Sequence, residues 1–175
     1  MSDETALVAT PSQTAGPFFH IGLTPQPNDL AGERIRVRVM VTDGDGRPVD
    51  DALVELWHTA EYAVPAAAAQ TRAVFARMPT GEDGSCEFET VRPGRAPDGQ
   101  APHINVCLFA RGLLRQLHTR LYFAGDPEVE SDAVLSLVPE PRRTTLLARP
   151  DPAMPERWVF EIRLQEPQET VFFNI

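Results

Sequence analysis

Seventeen prolines and eleven glycines are spread along this chain, too many for a helical bundle and well suited to short strands joined by turns. One stretch alternates cleanly, Ile35-Arg-Val-Arg-Val-Met-Val41, which places every second side chain on one face and predicts a strand with one buried side. Asp43-Gly44-Asp45-Gly46, closed by Pro48, and Thr80-Gly81-Glu82-Asp83-Gly84 carry turn chemistry. Further strands are expected over 52–57, 85–91, 103–110, 114–123, 158–164 and 170–173. The Ala-rich residues 60–80, with two prolines, read as a loop holding at most one turn of helix, and 93–102 as an irregular loop. One helix candidate follows Gly125: Asp126 can cap, Pro127 suits the first helical position, and 132–138 could carry a short helix that Pro139 stops. Residues 1–33 are Pro- and Thr-rich without sustained period and read as an extended arm. The expected architecture is all-β: a single-domain β-sandwich over 34–175 with that arm and a short helix. A length of 175 residues suffices for one sizeable core.

Charge narrows the partners. Asp and Glu number 25 against 16 basic residues, every one of them Arg, for a net charge of −9. That balance argues against nucleic acid or an anionic membrane as the main partner. The small-apolar run at 64–69 is far too short to span a bilayer, and the N-terminus lacks the basic and apolar segments of a secretory signal. A cytoplasmic protein with free thiols is therefore expected. Cys86 and Cys107 form no CxxC pair and no His-flanked cluster, so no zinc site is expected.

Little in the residues taken singly carries chemistry. No Lys exists to serve a phosphate loop, and no Ser sits in the glycine elbow of a hydrolase triad. Asp50-Asp51 and Glu82-Asp83 read as solvated turn residues. On a strand, residues i and i+2 share a face, so a His-x-His pair could hold one metal; here the triplet is His103-Ile104-Asn105, and a neutral amide is a poor ligand for a hard trivalent ion. His103 by itself reads as a loop-edge histidine satisfied by hydrogen bonds, and His20, His58 and His118 as ordinary strand or loop residues. At this level the chain is an acidic β-sandwich without a self-sufficient catalytic constellation.

The segment Thr10-Pro-Ser-Gln-Thr-Ala-Gly-Pro-Phe-Phe-His-Ile-Gly22 resembles the N-terminal arm of the intradiol ring-cleavage dioxygenases. The likeness continues in order through Val54-Glu-Leu-Trp57, Thr90-Val-Arg-Pro-Gly94, Ala101-Pro-His-Ile-Asn105, Leu108-Phe-Ala-Arg-Gly112, Leu117-His-Thr-Arg-Leu-Tyr-Phe123 and Glu169-Thr-Val-Phe-Phe-Asn-Ile175. Catalytic chains of that family hold a non-haem Fe(III) with two Tyr and two His. The resemblance places His103 at the first His, Asn105 at the second, and Ala96 at one Tyr; Tyr62 is a candidate for the other. At most two of four ligands remain, so His103 is vestigial, and Asn105 and Ala96 stand at lost ligand positions. The resemblance thus implies a non-catalytic α-type chain with no cofactor of its own, whose homologous β chain carries the Fe(III) and cleaves protocatechuate with O2. It further implies that Thr14, Gly16 and Pro17 of the arm approach the partner's substrate cavity and that Arg111 lies near the substrate. Phe18 stands where many relatives carry Tyr, and the chain is trimmed around 24–33 and 62–80. Two other readings stay open on the residues alone: a self-sufficient catalyst, which the ligand count opposes, and a binding or assembly module without an enzymatic partner. Without the resemblance, Gly16 and Pro17 could simply shape a turn, and Arg111 would be a solvated hairpin arginine.

Overall fold

The computed structural model describes residues 32–62, 70–95, 99–165 and 168–174. The arm expected over 1–33, with Thr14, Gly16, Pro17 and Phe18, falls almost wholly outside these residues, and so does Ala96. The alternating segment forms β1, Arg34–Thr42: Ile35, Val37, Val39 and Val41 turn inward while Arg36 and Arg38 face out. Its outward arginines meet acids on the neighbouring strand, Arg36 with Glu87 at 3.3 Å and Glu89 at 3.0 Å. Such opposed cross-strand charges each add only a fraction of a kcal/mol, on the order of 0.2–1 kcal/mol. Register is set by the inward apolar residues instead, because a slip of one residue would expose them all.

The strands after β1 are β2 (Leu53–Tyr62), β3 (Gln70–Pro79), β4 (Ser85–Val91), β5 (His103–Phe109), β6 (Leu117–Phe123), β7 (Leu147–Asp151) and β8 (Met154–Arg163). They hydrogen-bond in the order β3-β2-β5-β6-β7-β8-β1-β4. Pairing is antiparallel except between β1 and β8 and between β6 and β7. The β6–β7 junction is short, only Tyr122↔Leu147 and Phe123↔Ala148, and there the sheet folds over to give two layers. Val54, Leu56, Ile104, Val106 and Leu121 from one layer close on Val37, Val39, Phe88 and Phe160 from the other, all no more than 2 % exposed. The all-β sandwich expected from the turn-rich sequence is the observed architecture.

Several expected elements shift. Residues 70–79, expected in a loop, form β3 and pair with β2 from Leu53↔Pro79 to Tyr62↔Gln70. Alanines blur the alternation there, yet Val74 and Ala76 are buried. Strand β7 went unforeseen because Pro150 interrupts it; the proline sits beside a register shift, where a missing N–H is tolerated. The helix expected over 132–138 shortens to α1, Ala133–Ser136, with a second single-turn helix α2 at Glu140–Arg143. Asp132 is the cap of α1, accepting from the N–H groups of Val134 and Leu135. Asp126 instead closes a turn by accepting from Glu128 N–H at 3.0 Å. The expected 170–173 strand reduces to one bridge, Phe173 with His118. Between Thr90 and Gly94, Arg92 is structural: its guanidinium lies 4.3 Å over Phe123 and 5.0 Å over Trp158 and reaches Asp126 at 3.0 Å.

Candidate functional site

Cross-strand register decides what can meet on the outer face of β2, β5 and β6. Asn105 pairs with Trp57 on one side and Arg120 on the other, and His103 pairs with Tyr122. Because side chains alternate along each strand, His103 and Asn105 share a face, as the spacing predicts, and Trp57, Arg120 and Tyr122 stand beside them. Together with Gln100, His58 and the 93–94 segment, His103, Asn105, Trp57 and Arg120 line a cavity of about 490 Å³.

Each wall residue is held by identifiable bonds. His103 Nδ1 is 2.8 Å from the Ala101 carbonyl, which makes it the donor nitrogen. Arg120 Nη1 donates to Gln100 Oε1 and, at 3.4 Å, to Tyr122 Oη. Tyr122 is fully buried and donates its hydroxyl to Asp132 Oδ1 at 3.0 Å; burial pushes its pKa up to about 12, so it stays a neutral donor. Burial would raise the Asp132 pKa as well. Four donors, the N–H groups of Leu135, Ala101 and Val134 and the Tyr122 hydroxyl, outweigh that and hold it below the ordinary carboxylate range. His58 bridges the two layers, its Nδ1 3.1 Å from Thr59 O and its Nε2 2.8 Å from Thr90 Oγ1. Burial lowers its pKa, with the neighbouring His103 acting in the same direction, so it sits here as a neutral ring.

This donor set does not fit Fe(III). A hard trivalent ion seeks anionic oxygen and imidazole, whereas the positions at hand offer one imidazole whose Nδ1 is engaged, a neutral carboxamide and a guanidinium. Among the described residues no group of three or more His, Cys, Asp or Glu could hold a metal ion. The backbone of Tyr62 ends β2, and its side chain lies outside what is described. The two cysteines are buried, and burial raises their thiols to about 12 for Cys86 and about 11 for Cys107. Neither is a nucleophile at neutral pH.

Arg111 does not join this cavity. It follows β5 at the end opposite His103, with roughly 20 Å of strand between the two ends. Its side chain is 85 % exposed and contacts Asp51 at 3.0 Å, with exposed Phe109 and Leu114 as neighbours in the chain. Local sequence signals do not mark Arg120, Gln100 and Trp57 as wall residues, and they make His58 an ordinary strand residue rather than a bridge between layers. Alternation could mark Arg120 as outward-facing; only the register of β6 against β5 could place it opposite Asn105.

A family model described as Dioxygenase matches residues 14–166. The chain is 40 % identical over 196 residues to the protocatechuate 3,4-dioxygenase alpha chain of Burkholderia cepacia, covering 98 % of this chain and 100 % of that relative. It is 33 % identical over 132 residues to the beta chain from the same organism, covering 67 % of this chain and 56 % of the beta chain. Among solved structures it resembles the dioxygenase domain of a dioxygenase carbohydrate-binding protein fusion from Streptomyces sp. SirexAA-E, with a TM-score of 0.62, 28 % identity, and coverage of 90 % and 99 % of the two chains.

Proposed function

The chain belongs to the Dioxygenase family, and from that membership we propose that it is the iron-free α-type subunit of a protocatechuate 3,4-dioxygenase. Its partner is a homologous β chain that carries the Fe(III). The assembly converts protocatechuate and O2 into 3-carboxy-cis,cis-muconate, a step of aromatic catabolism in the β-ketoadipate pathway, with both oxygen atoms retained in the product. Near end-to-end likeness to an alpha chain, against partial likeness to a beta chain, supports the choice of subunit. The observation that carries the iron-free reading is the pairing of Asn105 with Arg120. A carboxamide stands where the resemblance puts a second imidazole, and a cation stands next to it.

In this reading ring cleavage takes place on the partner's iron, and the present chain completes the partner's cavity. Thr14, Gly16 and Pro17 of the arm are assigned to its wall, and Arg111 to the carboxylate of the substrate. A guanidinium is permanently charged and offers paired planar donors, which suits an anionic aromatic acid in a partly dry site. Co-expression with the homologous chain tests the proposal. One iron per pair, a visible iron–tyrosinate absorption and activity should appear only when both chains are present. Stoichiometric iron and ring cleavage by this chain alone would end the proposal.

A further inference from the structure

Asp50 and Asp51 precede β2 in a turn, and solvation alone would explain two such acids. The structure separates them. The β2–β5 ladder ends on Leu53↔Phe109, and carrying that antiparallel register two residues further brings Asp51 opposite Arg111. There the Asp51 carboxylate lies 3.0 Å from Arg111 Nε. The backbone on either side of the two acids is pinned by one buried residue, Thr80. Its hydroxyl donates to Val49 O at 2.8 Å and accepts from Ala52 N–H at 3.0 Å, and its own N–H donates to Ala52 O at 2.9 Å. Across from it, the turn holding Arg111 closes through Leu113 N–H to Ala110 O at 3.2 Å, with Gly112 at a φ of +88°. Two hydrogen-bonded backbones thus set the spacing between this acid and this arginine.

We propose that Asp51 is a positioning residue for Arg111, holding the guanidinium by its Nε edge so that the terminal Nη pair is presented to the carboxylate of the substrate. The role rests on the subunit reading above. A guanidinium is planar, so an anion at the Nε edge fixes its plane and leaves the two Nη groups to meet both oxygens of a second carboxylate. An exposed arginine without an anchor would lose its rotamer freedom only on binding, and that loss would weaken the substrate's hold. The charge of Asp51 does not cancel this gain. Each carboxylate lies against the cation and farther from the other carboxylate, and Coulomb attraction at contact exceeds repulsion across the guanidinium.

Steady-state kinetics of the co-expressed assembly test the role. Asp51→Ala should raise KM for protocatechuate by about three- to tenfold, the effect of leaving one long side chain to be ordered by the substrate. The carboxylate is remote from the ring carbons that react, so kcat should stay near the parent's, as should iron content and assembly. Catechol, which lacks the carboxylate, should be turned over as by the parent. Asp51→Asn, which keeps an acceptor without the charge, should fall between. In an Arg111→Ala background, Asp51→Ala should add nothing, because a residue that acts through Arg111 has nothing left to act on. On the full-length chain alone, ¹⁵N relaxation of Arg111 Nε should report a more mobile side chain in Asp51→Ala than in the parent. Equal losses for both substrates, an additive double variant, or an Arg111 Nε as mobile in the parent as in the variant would each overturn the proposal. An inactive assembly of parent chains would end the subunit reading and this role with it, whereas an active assembly indifferent to Asp51→Ala would end this role alone.

Discussion

Arg111, 85 % exposed and in contact with Asp51, contributes little to the stability of its own chain, since exposed ion pairs contribute about 0–1 kcal/mol. In the proposed assembly its role is exerted on the substrate in the partner's cavity. In the assembled enzyme, Arg111→Ala should cost roughly thirtyfold or more in kcat/KM for protocatechuate, in line with the 2–5 kcal/mol typical of truncating a buried charged partner. Iron content and assembly should stay near normal, and catechol, which lacks the carboxylate, should lose much less. An equal loss for both substrates would assign Arg111 to the interface instead. Asn105 makes the complementary case. Asn105→His rebuilds an imidazole pair on one face of β5, yet Arg120 remains opposite it and Ala96 supplies no phenolate. No one-to-one Fe(III) complex should form on metal titration; an iron-loaded, visibly absorbing single mutant would refute the ligand assignment. The family likeness made residues 103 and 105 legible as a ligand pair, because they share a face in any strand. Arg120 was illegible, because nothing within one strand specifies which residue of another lies opposite.

Turns and caps hold the elements in place, and two of them have measurable costs. Gly84 closes the turn before β4 with a φ of +69°, and a Cβ there would lie 2.7 Å from Val41 O and 2.9 Å from the Pro48 side chain. Gly84→Ala should therefore destabilise by about 2 kcal/mol or more, adding left-handed strain to the clash, visible as a lower midpoint in urea unfolding. A midpoint within error of the parent would show that the turn relaxes freely. Asp132 ties α1 to the 101 segment and to β6 through four hydrogen bonds. Asp132→Ala strands those donors and should cost about 3 kcal/mol, a fall of roughly 6–12 °C in Tm for a chain of this size. Because the folded carboxyl titrates below its unfolded value, its contribution is present above about pH 3.9 and lost as the pH falls further through the folded pKa. The gap between parent and variant should thus close on acidification below about pH 4; a gap independent of pH would mean that packing, not the carboxylate, is responsible. The Asp-Gly turns and the Asp132 cap were readable from local chemistry. Strands β3 and β7 were not, since their alanines and prolines obey neither period and only pairing with neighbours makes them strands.

At the scale of the whole molecule, the described residues leave apolar surface uncovered on one sheet face. Trp57 and Phe109 are 45 % and 38 % exposed on the outer side of the β2–β5 pair, and they border a hollow of about 470 Å³ that also includes Cys107, His118 and Phe173. The N-terminal sequence, which lies outside the described residues, carries Phe18, Phe19 and Ile21, a run with no strand or helix period of its own. Exposed apolar patches of this kind mark interaction surfaces. Expressed alone, the chain should self-associate in analytical ultracentrifugation, and co-expression with the homologous β chain should give one monodisperse species. A stable monomer of this chain at working concentration would count against an obligate partner.

The amino-acid sequence by itself determined the all-β class, the inward stripe of β1, the principal turns and the residues at 103 and 105, because these depend on local chemistry and on a period of two that any strand obeys. Only the tertiary structure decided the sheet order, the fold-over at β6–β7 and the company that Asn105 keeps. Those outcomes depend on which strands pair and in what register, and burial shared between segments far apart in the chain selects that register. The cavity around Arg120 is such a product: Trp57, Gln100, Asn105 and Arg120 come from separate segments, and side-by-side strands set its walls and its charge.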